Sequence, residues 1–578
     1  MRKTFKKRGQ KFAKKFSRAS MKASAGGRDH IKENLVDRFS HIANIRLLIL
    51  EWGLLVLALI MLATTQAFWF KDSYTEGDFA AGGTYTEATI GEVNSMNPLF
   101  AITDSEKVLS KLMFATISAN DYSGHPGIGL AESISSSENG KVWTVKLRDG
   151  LKWSDGEPIT NADVLFTAQL IKNPAVSSIY DSNLSHVEVV ENEAGEIIFN
   201  LPTTYADFIS ALNIPVLPEH ILKGADPKTL IEDSFSNSPV TSGAFSFNAM
   251  QTGSSNDEKV FYLSSNQYYY KGRTALSSFA IHTYNDTEDL IEAINSGAVT
   301  ATAELSGAES DLITSSQFNR RESSLNSGAF IFFNTSNEWV RNVELRAAIR
   351  QGIDIAKIRQ AAPGTMPLDY PLLASQIALS SYPAIPARDV DAARNKIAEI
   401  AGGETIHINI ATVDSGYLPG VANTVADELK SLGLDAIVST YDESQEFINN
   451  IVSKRNYDIL VYEVELGADP DLLPYYHSSQ ASASGLNLSN YRNSLVDDLL
   501  LGARDTTDDA LRAKKYEAFL EYWVTGVPAI GIYQPNLTYY YNKNVKTFGN
   551  NVKLVTALDR FVDVNSWAVI RELKNKTP

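Results

Sequence analysis

Between Leu47 and Phe70 the chain runs for 24 residues with Glu51 as its only charge. At 1.5 Å rise per residue such a helix is roughly 36 Å long, against a hydrocarbon core of about 30 Å, so it can cross a bilayer with some tilt. Arg46 and Lys71 bracket the run, and Trp52 and Trp69 stand near its ends, where indoles favour the interface. Residues 1–46 hold 14 Lys and Arg against three acids, net +11; with −16 for the whole chain, the remainder carries −27. Positive charge stays on the cytoplasmic side. The expectation is one transmembrane helix over 47–70, a basic cytoplasmic tail over 1–46 with Phe5, Phe12 and Phe16 that can lie on an anionic leaflet, and an acidic exterior. A cleaved secretory signal is the alternative, Thr65 and Ala67 being small residues at a peptidase spacing, although the apolar run exceeds an ordinary signal core.

The chain contains no cysteine, which excludes disulfides, thiol catalysis, thiolate metal sites and lipoprotein anchoring. With 508 residues after Phe70, 44% hydrophobic and 21% charged content, the exterior part is ordinary globular material too long for a single core. Residues 71–83 (KDSYTEGDFAAGG) are polar and Gly-rich, as a flexible stalk would be.

The clearest local pattern lies in residues 130–174. Trp143, Val145 and Leu147 alternate with Thr144 and Lys146 as in a half-buried strand; Asp149-Gly150 and Asp155-Gly156 supply turns. Thr160 and Asp163 form the cap of a helix carrying Val164, Leu165 and Phe166.

This segment resembles the signature region of the family 5 extracellular solute-binding proteins, the peptide, dipeptide and nickel receptors of ABC importers. The resemblance continues through residues 92–98 (EVNSMNP), 216–222 (VLPEHIL), 239–247 (PVTSGAFSF), Asn334, 343–354 (VELRAAIRQGID), 457–476 and 487–500. It implies an α/β fold, a two-lobed periplasmic-binding-protein-like clamp of type II with an extra subdomain in lobe one, here preceded by the transmembrane helix. Residues 329–333 (AFIFF) and 529–533 (AIGIY) read as buried strands at the lobe crossings. Lobe one is then expected over 84–328 with a C-terminal return over 534–578, and lobe two over 329–533.

For such a receptor the resemblance implies a peptide or peptide-like solute as ligand, ABC permease and ATPase subunits as partners, and no cofactor. A carboxylate would meet the ligand's ammonium. In relatives an Asp precedes an Asp-Pro or Glu-Pro pair by three residues; here that position is Leu466, before Asp469-Pro470, and the adjacent Glu465 can take the role across a one-residue gap. The bland reading makes Asp469 and Asp471 turn and cap residues around Pro470 and leaves Glu465 simply exposed. Further ligand candidates by position are Asn94, Ser95 and Met96 in the first segment, and Ser484 and Asn487 near the NLSNY stretch; each is equally a candidate turn residue. The tyrosine triplets 268–270 and 539–541 read as strand packing.

Enzyme signatures are missing from the sequence: the eight histidines are scattered, and there is no H-E-x-x-H, G-x-S-x-G or P-loop. His407 and His477 lack partners at metal-ligand spacing. An exterior of −27 disfavours nucleic acid. Two other readings stay open: a surface adhesion or envelope-scaffold protein that keeps the clamp without transport, and a receptor for a saccharide or metal chelate.

Overall fold

A computed structural model describes residues 46–137, 140–184, 186–252, 258–305, 309, 312–442, 444–483, 485–506 and 508–575. The basic tail before Arg46 and the candidate Ser484 lie outside the described residues. The chain divides into two compact units, residues 1–78 with 572–578, and residues 79–571.

In the first unit, helix α1 (Arg46–Tyr74) contains the whole apolar run. It passes Lys71 because nothing in KDSY, neither Pro nor Gly, stops it, and a strand (Thr75–Ala80) follows where the sequence suggests a flexible stalk. Residues 52–66 are exposed, Leu54, Leu57, Ile60 and Met61 among them. Among the described residues no helix is long and apolar enough to cross a membrane.

The second unit holds two large hydrophobic cores, each built on its own sheet, and so has two lobes. In lobe one the chain forms β1 (Thr84–Ile90), α2 (Asp104–Met113), β2 (Ala131–Ser136), β3 (Val142–Leu147), α3 (Asn161–Ile171), β4 (Glu188–Glu191) and β5 (Ile197–Asn200). Then come β6 (Phe245–Thr252), β7 (Lys259–Ser265), β8 (Ser278–Tyr284), β9 (Ala301–Thr302) and β10 (Phe318–Ser324). Lobe two contains β11 (Ser327–Phe333), α4 (Val343–Gly352), β12 (Met366–Pro367), β13 (His407–Val413), α5 (Leu418–Ser431), β14 (Asp435–Tyr441) and β15 (Ile459–Glu465). It closes with α6 (Ser494–Arg504), α7 (Asp509–Gly526) and β16 (Ala529–Gln534), after which β17 (Asn536–Asn542) returns to lobe one.

Lobe one has a seven-stranded sheet, order β10-β17-β9-β1-β8-β7-β6, and a four-stranded sheet, order β2-β3-β5-β4; lobe two has a six-stranded sheet, order β12-β16-β11-β15-β13-β14. The lobe-two sheet is mixed: β13 runs parallel to β14 and β15, while β11 is antiparallel to β15 and β16. That is the pattern of a βαβ unit in which α5 connects β13 to β14.

The two apolar runs form β11 and β16, both buried and paired within lobe two. The crossings themselves lie just outside them, at Leu325–Asn326 between β10 and β11 and at Pro535 between β16 and β17. The Leu325 N–H donates to the Pro535 carbonyl (3.1 Å) and so holds the crossings side by side, while the Leu466 N–H, just past β15, donates to the Asn326 carbonyl (2.7 Å). Proline at 535 donates no ladder hydrogen bond, so the strand pairing breaks there.

The family-like segments are structural pins. The buried Asp163 accepts the Thr160 N–H (2.8 Å) in a capping box and, through its other oxygen, the Glu219 N–H (2.8 Å), tying α3 to the VLPEHIL stretch. Gly243 lies so close to α2 that a Cβ would stand 2.5 Å from the Leu112 carbonyl oxygen, which only glycine avoids.

Candidate functional site

The strand β15 brings Glu465 to the hinge. Burial falls along the strand from Ile459 to Glu465, which is exposed, whereas the next residue, Leu466, is buried and bonded to Asn326. Its carboxylate makes no hydrogen bond or ion pair with a described residue; its backbone carbonyl accepts the Tyr475 hydroxyl. Although solvent reaches Glu465, protein surrounds it, and this desolvation raises its pKa, with Lys107 opposing and Asp559 and Asp104 adding to the rise. Those three neighbours belong to lobe one. Glu465 therefore stands at the end of a lobe-two strand, within electrostatic reach of α2, at a position termed the recess.

On the opposite wall Lys107 stands in α2, one turn beyond Asp104 and 3.2 Å from its carboxylate. Burial lifts the Tyr180 hydroxyl to about 12, with Lys107 and Glu465 both acting on it. Glu304, half-buried, is pushed well up by desolvation and then by Asp104, against the pull of Arg560 and Lys107. Beneath them Glu87 and Arg560 form a buried ion pair at 2.7 Å, so that pair belongs to the core.

A few residues away the lobes meet differently. Asp469 is held by a bidentate pair with Arg512, and Asp471 by Arg504, while Asp471 also accepts the Leu473 N–H (3.2 Å). From lobe one, the Tyr205 ring lies over the Arg504 guanidinium (4.3 Å) and the Ala206 N–H donates to the Arg504 carbonyl (3.1 Å). Asp207, the next residue, is lifted to about 7 by burial and then by Asp469, and its Oδ2 is shielded from solvent without a hydrogen-bond partner.

The remaining candidates occupy supporting positions. The Glu106 carboxylate accepts the backbone N–H groups of Asn94 (2.9 Å) and Ser95 (3.3 Å), so this segment is pinned to the start of α2. Ser95 is buried and accepts the Asn97 N–H; Met96 is buried in the lobe-one core; only Asn94 keeps an exposed side chain. Asn487 is wholly buried, its amide group donating to the carbonyls of His477 and Tyr491 and accepting the Tyr491 N–H. Asp469 lies at the interlobe seam and Glu465 at the recess.

Sequence reading does not bring in Lys107, Glu304, Tyr180 or the Tyr205–Arg504 stack. Nothing local signals them, because each acquires its neighbour only when distant segments fold together. Tyr475 does lie within a family-like stretch, and its place beside Glu465 is the one contact that pattern offers.

Two lobes joined by adjacent crossings, with an exposed carboxylate at the joint, define a clamp-type binding protein. Residues 126–485 match the bacterial extracellular solute-binding proteins, family 5 (middle), and the chain belongs to that family. Its role is accordingly solute binding rather than catalysis. It is 24% identical over 486 residues to the oligopeptide-binding protein AppA of Bacillus subtilis, covering 79% of this chain and 87% of the relative. The structure of AppA with a nonapeptide superposes with a TM-score of 0.73 at 21% identity, covering 86% of this chain and 100% of that one. NikZ of Campylobacter jejuni, in complex with Ni(L-His), gives 0.72 at 21% identity, covering 84% and 99%. At these identities the superpositions establish the two-lobed fold.

Proposed function

We propose that this protein captures peptides outside the cell, closes its lobes around them and delivers them to an ABC permease, with α1 as its single-pass membrane anchor. In this reading residues 84–328 and 534–578 act as lobe one and residues 329–533 as lobe two. The observation that carries it is Glu465, a carboxylate without a partner among the described residues, set at the hinge and facing the other lobe. An ammonium group placed there gains a charge-assisted hydrogen bond that no side chain among the described residues makes. Tyr180 and Tyr475 flank the position, and the exposed Asn94 adds an amide beyond α2. Asp469, committed to Arg512, acts through the seam; Ser95, Met96 and Asn487 shape the walls.

Closure carries the signal, since a ligand shifts the lobes only by binding the closed form more tightly than the open one. The 24-residue apolar run and the exposed apolar side chains of α1 suit a lipid environment, and the net +11 of the tail orients the N-terminus inward. Native mass spectrometry of the full chain, released from detergent micelles after expression, tests the ligand class. A ladder of co-purified peptides is expected; uniform recovery of a sugar or a metal chelate overturns it.

A further inference from the structure

Lobe two contains a cavity of about 270 Å³ distinct from the interlobe recess, set behind β16. Its walls are largely apolar: Ile353, Ile355, Ile385 and Ile530, with the Trp523 ring. Arg350, from α4, also lines it. Its Nη1 donates to the Val524 carbonyl near the C-terminal end of α7, but its Nε is shut off from bulk solvent and has no acceptor. No carboxylate among the described residues pairs with it, and burial lowers its pKa.

The two aspartates of the same cavity are engaged elsewhere. Asp354 caps the Lys357 N–H (3.1 Å) and lies 3.6 Å from Arg388; Asp369 accepts from Arg359 at 2.7 Å. Two lining side chains therefore carry a buried N–H without an acceptor among the described residues, Arg350 at Nε and Trp523 at Nε1. An unpaired donor in a low-dielectric site is unfavourable until an acceptor meets it, and a guanidinium edge matches a carboxylate in geometry as well as charge. The volume is below the range of drug-sized pockets, so the occupant is small.

We infer that this cavity binds a short aliphatic monocarboxylate, with its carboxylate on the Arg350 guanidinium and its hydrocarbon against Ile353, Ile385 and Ile530. Since Ile530 and Gly531 belong to β16, one residue run from the Pro535 crossing, such a ligand rests against a strand that leads into the hinge. The site goes beyond the peptide receptor reading and stands whether or not the interlobe recess takes peptides.

The test uses the full chain in detergent, titrated calorimetrically with 4-methylpentanoate and with 4-methylpentanamide, its neutral isostere. Saturable binding of the carboxylate, at least about tenfold tighter than the amide, is expected. Arg350→Gln should abolish that difference. Ala356→Trp, at an exposed residue lining the cavity, should block binding while Arg350 stays in place, which covers the case in which Arg350→Gln fails to fold. Equal binding of acid and amide, no saturable binding, or binding untouched by Ala356→Trp overturns the inference and leaves Arg350 as a cation serving only the end of α7.

Discussion

Two places where the lobes face each other differ in how their charges are settled. At the seam every aspartate of the 469–471 loop has an arginine from its own lobe, and lobe one contributes a ring and a backbone N–H. At the recess Glu465 faces Lys107 without forming an ion pair, and Lys107 turns to Asp104 instead. The 469–471 loop is thus paired without a ligand, whereas Glu465 has no ion-pair partner among the described residues. Surfaces that hold a clamp together settle their charges internally; surfaces meant for a guest leave a charge to be settled by it.

The largest effect should come from breaking the seam. Arg512→Met leaves Asp469 desolvated and unpaired beside Asp471, and removing one partner of a largely buried ion pair costs about 3–5 kcal/mol. Urea unfolding should show that loss with little change in the denaturant slope. A loss below about 1 kcal/mol would make the pair an ordinary surface contact and erase the contrast.

Next comes the recess. Glu465→Gln removes no protein contact, so stability should stay within about 0.5 kcal/mol of the parent. Affinity for peptides with a free ammonium should drop by about 2–3 kcal/mol, the loss of a hydrogen bond between charged groups, and N-acetylated peptides should bind parent and variant alike. Calorimetry on both peptide forms decides it; equal losses for both would place the amine elsewhere.

Much of this contrast could not be read before the chain folds. Local rules suffice for β3 and α3, whose bounds follow from the Trp143–Leu147 alternation and the Thr160–Asp163 cap. They also serve for Tyr539, a core residue whose hydroxyl reaches buried Glu87 (2.9 Å). The family pattern reaches Glu465 only across a one-residue gap from Leu466. What the sequence withholds is pairing at a distance. Asp469 reads as a turn residue until Arg512 arrives from α7, and Lys107 reads as a solvated helix charge until β15 ends opposite it. The same limit applies to Asn487, whose side chain looks available in a polar stretch but is consumed by His477 and Tyr491.

A smaller effect, with a pH signature, belongs to Asp207. Its carboxyl titrates near 7 in the folded protein against 3.8 ordinarily, so the folded state binds the extra proton between those values. Stability from this group is full below about pH 4 and falls as pH rises through 7, because the unfolded chain has already released its proton. Asp207→Asn should flatten that slope and raise stability at pH 8 by about 1–2 kcal/mol, allowing for the water that reaches this half-buried side chain. Glu465→Gln leaves the Asp207 environment intact, so its unfolding profile should keep the descent through pH 7; a parallel flattening in both variants would mean that recess and seam titrate as one network.

The smallest effect separates ring from charge at the seam. Tyr205 covers the Arg504 guanidinium, and exchanging it for leucine keeps apolar cover while removing the ring face, a change of about 0.5–1 kcal/mol for a partly exposed cation–π contact. Because Tyr205 is the lobe-one side of that contact and Arg504 the lobe-two side, the loss should fall on lobe closure rather than on either core. Small-angle scattering with saturating peptide should then show a larger open fraction in Tyr205→Leu, while the unfolding midpoint moves little. An unchanged open fraction would assign the ring to packing within lobe one, leaving the Ala206 N–H as the lobe-one contact to Arg504.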